Sequence, residues 1–212
     1  MDAEDVVVGV LLAGGKSSRM GGGDKCLLPL AGRPILAHVL ERLRSQVSDI
    51  VINANGDLSR FSSFGLPVVP DHLGDHAGPL AGVHAGMEWA LASRSRSRFV
   101  ITAATDTPFF PADLVSRFCS AIGERDLRLL VARSEGGVHP VFGLWPMSLA
   151  PILESSLKGG MRKVGDFVRR QGAEEVSFPA KNVGGRTIDP FFNINRPDDL
   201  DQAEAFLQGK AS

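Results

Sequence analysis

The sequence predicts an α/β domain built around a mostly parallel sheet. Short apolar runs rich in β-branched residues alternate with longer segments whose apolar residues recur at helical spacing. The run Phe99–Thr105 is almost wholly apolar or small, which is typical of a strand buried on both faces of a parallel sheet. A length of 212 residues suits one compact domain, and a hydrophobic content of 43% permits a sizeable core.

The individual elements follow from these patterns. Runs of Val, Ile and Leu predict strands at Val6–Leu12, Ile50–Ile52 within Asp49–Asn53, Leu66–Val69, Phe99–Thr105, Leu127–Ala132, Val141–Trp145 and Val176–Phe178. Helical spacing, often after a proline that suits a first turn, predicts helices at Ile35–Leu43, Pro79–Leu91, Pro111–Ile122, Ser148–Leu157, Met161–Gln171 and Pro197–Leu207. The strict alternation ends after Trp145, where two helices follow each other.

Composition excludes several classes of protein. With 23 basic and 24 acidic residues the net charge is −1, so no global field draws the chain to nucleic acid or to a membrane surface. No run approaches the ~20 apolar residues of a membrane span, and the acidic N-terminus is unlike a signal peptide. We therefore expect a cytoplasmic protein. Cys26 and Cys119 lack metal or redox spacing, which predicts buried thiols, with Cys26 as a secondary candidate for redox sensitivity.

A glycine-rich loop, LLAGGKSSRMGGGDK, follows the first strand at residues 11–25. Glycines allow the backbone to approach a ligand, and successive exposed N–H groups form a nest for anions. Lys16, Arg19 and Lys25 supply countercharge. The loop is not a Walker loop, because Cys26 follows Lys25, nor a dinucleotide fingerprint, because Pro29 interrupts the chain soon after it. It predicts a phosphate cradle at the carboxyl end of the first strand.

Polar side chains follow three further strands, at the edge where ligands collect in open α/β sheets. Asp106 ends the most apolar strand, and Mg²⁺ prefers one or two carboxylates completed by phosphate oxygens and water. The alternative is that Asp106 caps the turn before Pro108. Asn53 and Asp71 carry groups that suit nucleobase edges and ribose hydroxyls, and their alternative is ordinary turn chemistry.

Later segments carry residues suited to a second ligand. The sequence GPLAG at 78–82 begins a helix whose free N–H groups attract anions. Arg162, after a Gly-Gly turn, could meet a phosphate or could lie on a solvated helix face. Asn193 and Asn195 could ligate the metal or contact the second substrate, but Asn195 could instead cap the helix that begins at Pro197.

These motifs together resemble the molybdenum cofactor guanylyltransferases, which are MobA-like nucleotidyltransferases. The family's loop reads approximately LAGG-x-S-x-RMG-x-DK, and here it is Leu12–Gly15, Ser17, Arg19–Gly21 and Asp24–Lys25, with two glycines in the gap. The later segments GPLAG, TDTPF and FFNIN resemble further family signatures, and they follow one another in the family's order. The resemblance covers nearly the whole chain. It implies a Rossmann-like three-layer nucleotidyltransferase fold, the fold of nucleotide-diphospho-sugar transferases.

The resemblance also implies roles for individual residues. It implies catalysis by Arg19, Lys25 and Asp106, with Mg²⁺ on Asp106. It implies GTP binding by Leu12, Ala13, Gly14, Gly15, Lys25, Asn53, Asp71, Gly78 and Asp106. It implies acceptor binding by Gly82, Arg162, Asn193 and Asn195. We expect a single domain over 1–212, with a nucleotide-binding part at about 1–125 and an acceptor-binding part at about 126–212.

The implied reaction transfers GMP from GTP to molybdenum-molybdopterin, which gives the guanine dinucleotide cofactor and pyrophosphate. A phosphate acceptor is itself a nucleophile, so catalysis is mainly positioning and charge neutralisation. This fits the lack of an apparent Ser-His-Asp or Cys-His arrangement, and His139 is expected to be structural. The implied partners are the two substrates and, transiently, proteins that mature molybdoenzymes, with the chain a monomer or weak oligomer. The alternatives are a relative that uses CTP or makes a sugar nucleotide, and a non-catalytic nucleotide-binding module.

Overall fold

The computed structural model describes residues 7–14, 24–72, 78–93, 96–122, 127–183 and 185–209. Its strands are β1 (Val7–Leu12), β2 (Pro29–Leu30), β3 (Arg33–Pro34), β4 (Asp49–Asn53), β5 (Val68–Val69), β6 (Phe99–Ala104), β7 (Leu130–Ser134), β8 (Gly137–Pro146), β9 (Glu174–Ser177), β10 (Lys181–Val183) and β11 (Arg186–Ile188). Its α-helices are α1 (Ile35–Arg44), α2 (Pro79–Ser93), α3 (Leu114–Ala121), α4 (Ala150–Lys158), α5 (Val164–Arg170) and α6 (Pro197–Gln208). Short 3₁₀ helices occupy Lys25–Leu27, Leu58–Phe64 and Met147–Leu149.

A seven-stranded sheet with the order β5-β4-β1-β6-β8-β7-β9 forms the centre of the fold. The strands β5, β4, β1 and β6 are parallel, as is the pair β7 and β9, which confirms the predicted α/β class. Strand β8 runs antiparallel to both of its neighbours. It begins at Gly137, four residues before the predicted Val141, because a tight hairpin pairs Ser134 with Gly137 and extends the strand.

Three strands end level with one another, and this alignment positions the site. Leu12 at the end of β1 lies opposite Asn53 in β4 and Ala104 in β6. Asn53 in turn lies opposite Val69 at the end of β5. The loops that leave these strands therefore emerge side by side at the carboxyl edge of the sheet, where the sequence predicts ligands to bind.

The core has a layer of helices on each face of the sheet, because each apolar stripe needs a covering partner. Helices α1 and α3 cover one face, and α2, α4 and α5 cover the other. A third apolar cluster joins α6 to Phe109 and to β11, and so fastens the C-terminal segment to the loop after β6. No helix in the described ranges has the length and apolar character needed to cross a membrane.

The sequence did not predict the smaller elements. The hairpins β2–β3 and β10–β11 have strands of two and three residues, which is too short for a periodic pattern to emerge. Helix α5 begins at Val164 and not at Met161. The preceding turn is longer than predicted, because Gly160 has a φ of +89° and the Met161 N–H donates back to Ser156.

Candidate active site

The end of β1 is fastened to both neighbouring strands. The Ala13 N–H donates to the Asn53 carbonyl at 2.9 Å, and the Thr105 hydroxyl donates to the Leu12 carbonyl at 3.1 Å. Gly14, the next residue, is exposed and has open space around its Cα. This leaves the backbone at the start of the glycine loop open to a ligand. Gly15 and Arg19 lie outside the described residues, so their predicted roles stay predictions.

Three of the predicted site residues, Lys25, Asp106 and Asn195, are joined through the Lys25 ammonium group. The Lys25 ammonium Nζ lies 2.5 Å from Asp106 Oδ2 and donates to Asn195 Oδ1 at 2.8 Å. The Lys25 and Asp106 side chains are only 15% and 19% exposed, so water screens this ion pair incompletely. The glycine loop, the end of β6 and the late Asn motif thus converge on one charged cluster.

Backbone contacts explain why Asn195 reaches this cluster. The Ile194 N–H donates to the Asp106 carbonyl at 2.9 Å, which fixes the late segment beside the end of β6. The Asp199 carboxylate caps helix α6 by accepting from the N–H groups of Asn195 at 2.7 Å and Arg196 at 2.8 Å. The Asn195 side chain therefore does not cap the helix, and its amide oxygen points to Lys25 instead.

The cluster fits a divalent cation. Asp106 accepts from Lys25 through Oδ2 and from the Thr107 hydroxyl through Oδ1 at 3.3 Å, and its two oxygens have further lone pairs for a metal. Asn195 Oδ1 is a neutral oxygen aimed at the same ammonium. Carboxylate and amide oxygens are hard donors of the kind Mg²⁺ accepts, and substrate phosphates and water complete its coordination. Asp106 and Asn195 are accordingly the described residues that could hold a metal.

A second group of polar side chains lies at the ends of β4 and β5. Asn53 is 4% exposed, and both of its amide N–H bonds are engaged, with the Val69 carbonyl at 3.2 Å and Asp71 Oδ1 at 2.8 Å. Asn55 donates to Asp71 Oδ2 at 2.8 Å and accepts from the Asp71 N–H at 2.8 Å. Asp71 is thus held from two sides, and Asn53 acts here as its support.

Gly82 packs beneath this second group. A Cβ at this position would lie 2.2 Å from Asn53 Oδ1 and 2.8 Å from Leu12 Cδ2, distances at which atoms overlap. Only glycine therefore lets α2 approach the end of β1 so closely. This packing is on the side of Asn53, and the acceptor contact predicted for Gly82 stays a prediction.

Gly78 lies against the backbone of Arg162, and neither residue contacts the Lys25 side chain in the described part of the chain. Gly78 has a φ of +71°, and a Cβ there would lie 3.2 Å from the Arg162 carbonyl. One Arg162 nitrogen, Nη1, donates to the carbonyls of Leu157 and Met161 at 2.9 Å each, so the side chain closes the end of α4. An open groove of about 630 Å³ adjoins it, lined by Gly160, Met161, Arg162, Lys163, Asp166, Arg169 and Arg170. Its basic side chains outnumber its one carboxylate, so it favours an anion.

His139 is structural, as the sequence predicts. Its ring stacks on Phe191 with centroids 4.4 Å apart, and burial lowers the pKa of the imidazole. The Ser134 hydroxyl lies 2.7 Å from His139 Nε2 and 2.6 Å from Asp189 Oδ2. The structure therefore brings together a serine, a histidine and an aspartate that no sequence motif indicated. The serine hydroxyl, however, lies between the histidine and aspartate side chains. In a nucleophilic triad the histidine is central, so this cluster is not one.

Asn193 and Cys26 do not belong to the charged cluster of Lys25, Asp106 and Asn195. Asn193 is exposed on the segment that carries Asn195. Cys26 is buried, and burial raises the pKa of its thiol to about 11. The thiolate, which is the reactive form, is therefore scarce at neutral pH, and the suggested redox sensitivity of Cys26 has no support in the structure.

Sequence reasoning missed Arg60 altogether. It lies in the 3₁₀ helix Leu58–Phe64 and its guanidinium contacts the Asp24 carboxylate, next to Lys25. No periodicity or motif marks this segment, so no signal in a single sequence identifies its arginine.

Known proteins share this fold and these motifs. The family model of the MobA-like NTP transferase domain matches residues 9–175 of this chain. A protein of Mesorhizobium japonicum named molybdenum cofactor guanylyltransferase is 47% identical over 97% of this chain and 98% of its own length. A Bradyrhizobium protein of the same name is 46% identical over 93% and 92%. The crystal structure of molybdopterin-guanine dinucleotide biosynthesis protein A from Archaeoglobus fulgidus superposes with a TM-score of 0.71 at 25% identity, covering 96% of this chain and all of that one.

Proposed function

The chain belongs to the MobA-like NTP transferase family, and from this membership and its site geometry we propose that it transfers the guanylyl group of GTP to molybdenum-molybdopterin. The products are the molybdopterin guanine dinucleotide cofactor and pyrophosphate. The convergence of Lys25, Asp106 and Asn195 on one point carries the proposal on the structural side, because it is the arrangement that a triphosphate and a metal need. A reaction that consumes GTP suits a cytoplasmic enzyme.

The reaction is an in-line displacement at phosphorus. A phosphate oxygen of molybdopterin attacks the α-phosphorus of GTP, the bond to the bridging oxygen breaks, and pyrophosphate leaves with that electron pair. The Lys25 ammonium has three N–H donors, of which Asp106 and Asn195 engage two. Among the described residues the third has no partner, and we propose that it binds a phosphate oxygen, so that Lys25 stabilises the negative charge that develops on the leaving group.

Mg²⁺ is the metal that we propose for Asp106. When bound, it neutralises phosphate charge and orients the triphosphate. Asp106 would hold it through its carboxylate, and Asn195 would contribute its amide oxygen. Each of these oxygens has two lone pairs, so it can accept from Lys25 and still bind the metal.

The nucleoside of GTP would lie along the ends of β1, β4 and β5. The exposed backbone of Gly14 is accessible at the end of β1, and Asp71 is an acceptor suited to the N–H groups of guanine or to ribose hydroxyls. Asn53 keeps Asp71 in place by its bond of 2.8 Å. Cytosine presents a smaller ring with a different hydrogen-bonding edge, and each buried group left unpaired costs about 1–3 kcal/mol. This supports a preference for GTP over CTP.

The basic groove beside Arg162 is the acceptor site we propose. Its excess of positive charge suits the phosphate of molybdopterin, and Gly78 connects it to the beginning of α2. This assignment keeps the nucleotide-binding part at about 1–125 and the acceptor-binding part at about 126–212. Asn195 is the exception, because its contact with Lys25 brings a residue of the second part into the phosphate site.

Pyrophosphate release from each of the four nucleoside triphosphates, with and without molybdopterin and Mg²⁺, tests the proposal. We expect release with GTP and molybdopterin together. Lys25→Ala and Asp106→Asn should each lower turnover about 100-fold or more, as loss of a group facing developing charge does elsewhere. Lys158→Ala is the matched control, because Lys158 lies on the surface of α4, where it pairs with Glu154.

Two results would contradict the proposed function. Equal catalytic efficiency with CTP and GTP would favour a relative with another nucleotide product. Tight GTP binding without release of pyrophosphate under any condition would make the chain a non-catalytic nucleotide-binding module.

A further inference from the structure

Arg60 forms a bridge between the two polar groups of the site without facing the substrates. Its Nε contacts Asp24 Oδ2, and its Nη2 lies 3.2 Å from Asp24 Oδ1, so the guanidinium grips the carboxylate with two nitrogens. The same Nη2 donates to the Asn55 carbonyl at 2.8 Å, and Nη1 donates to the Asp57 carbonyl. The Arg60 and Asp24 side chains are 24% and 20% exposed, so the pair is shielded from most water.

Each end of this bridge leads to a residue of the proposed site. Asp24 immediately precedes Lys25, and its carbonyl accepts from the Leu27 N–H at 3.0 Å, which fixes the turn that carries Lys25. Asn55 holds Asp71 through the reciprocal bonds described above. The guanidinium therefore connects the residue that faces the triphosphate with the residue that faces the nucleoside.

We propose that Arg60 is a positioning residue, which sets the distance between Lys25 and Asp71 so that one nucleotide can engage both. This role rests on the proposed function, because it requires a single ligand that spans the two groups. A planar guanidinium can hold a carboxylate bidentately and bind a carbonyl with its remaining N–H groups, whereas a lysine ammonium has its three donors on one nitrogen and cannot reproduce this fork.

The proposal distinguishes positioning from simple stabilisation. Arg60 also lies 4.7 Å from the centre of the Phe61 ring, which would contribute to stability with either arginine or lysine at position 60. A purely structural role predicts that Arg60→Lys loses stability and loses activity only in proportion to the loss of folded protein. A positioning role predicts that Arg60→Lys folds normally but misplaces Lys25, and a displacement of about 1 Å in such a site can lower the rate ~100-fold.

The test is a double-mutant cycle of Arg60→Lys and Asp24→Asn, with thermal unfolding, GTP titration and steady-state kinetics on each variant. We expect each single variant to remain fully folded at the assay temperature despite a modestly lower unfolding temperature, to lower kcat about 10- to 100-fold and to weaken GTP binding. The double variant should be no worse than the more impaired single variant, because both substitutions remove the same contact. Arg33→Lys is the control, because Arg33 forms an exposed ion pair with Glu41.

Several results would overturn the role of Arg60. These are single variants within twofold of the wild type, losses that multiply in the double variant, and losses of activity that follow the loss of folded protein. If the wild type binds GTP but releases no pyrophosphate, the proposed reaction fails while the GTP affinities of the cycle still decide the role of Arg60. If the wild type binds no nucleotide, both proposals are wrong.

Discussion

Substitution of Gly82 by alanine is the sharpest probe of the nucleoside side of the site. The added Cβ would lie 2.2 Å from Asn53 Oδ1 and 2.8 Å from Asn53 Cγ, so the Asn53 side chain would have to move. Asn53 is held by its bonds to the Val69 carbonyl and to Asp71. Movement of Asn53 would therefore release Asp71 from one of its two side-chain supports.

The magnitude follows from two opposing contributions to the free energy of unfolding. Alanine gains at most ~1 kcal/mol over glycine in a helix. Overpacking typically costs ~1–3 kcal/mol, and each hydrogen bond of Asn53 contributes a further ~0.5–1.5 kcal/mol. We expect Gly82→Ala to be destabilised by about 1–5 kcal/mol net and to bind GTP about 10-fold more weakly, since ~1.4 kcal/mol corresponds to tenfold in affinity.

Two other glycines provide matched controls for denaturant unfolding and GTP titration. At Gly86, a Cβ would lie 2.5 Å from Val10 Cγ2 in the core, so Gly86→Ala should lose stability to a similar extent without weakening GTP binding. At Gly165, in α5, nothing lies within 4 Å, so Gly165→Ala should be neutral or slightly stabilised. The reasoning is refuted if Gly82→Ala keeps wild-type stability and GTP affinity, or if Gly86→Ala weakens GTP binding equally.

Two more predictions concern Cys26 and Arg162. Burial raises the pKa of the Cys26 thiol from 9.0 to about 11, so the stability that the neutral thiol contributes is present below pH 9 and is lost as the pH rises towards 11. The difference in unfolding free energy between the wild type and Cys26→Ala should therefore change by up to about 3 kcal/mol in favour of the variant between pH 8.5 and 11, and a constant difference would contradict the burial argument. Arg162→Ala should weaken molybdopterin binding and leave GTP affinity unchanged in separate titrations, and loss of GTP binding alone would contradict the acceptor assignment.

The sequence predicted the sheet and most of its helices because these elements depend on local apolar patterns. The strand Ile50–Ile52 was predicted within Asp49–Asn53, and the structure extends it by one residue at each end, while helix α2 begins at the predicted Pro79. Strand β8 was predicted too short, because its first half pairs through a hairpin register that no periodic pattern encodes. The sequence predicted where strands end better than it predicted whether two neighbouring strands run parallel or antiparallel. The relative direction of two neighbours depends on the whole path of the chain.

In the site, too, the sequence predicted what depends on local residue patterns and missed what depends on the path of the chain. Asp106, Lys25 and Asn195 could be selected individually from residue type and position, and the family resemblance implied their roles. Their meeting could not be derived from spacing, because Asn195 reaches Lys25 only through the bond from Ile194 to Asp106 and the cap that Asp199 provides.

Arg60 is the extreme case, because no motif marks any of its three partners. One is the side chain of Asp24, beside the glycine loop, and the other two are the peptide carbonyls of Asn55 and Asp57, which carry no sequence signal at all. A peptide carbonyl is present at every position of the chain, so a contact with it leaves no mark in the sequence and is visible only in three dimensions. The residues that face a substrate are accordingly the ones that motifs identify, whereas the residues that set their spacing must be read from the fold.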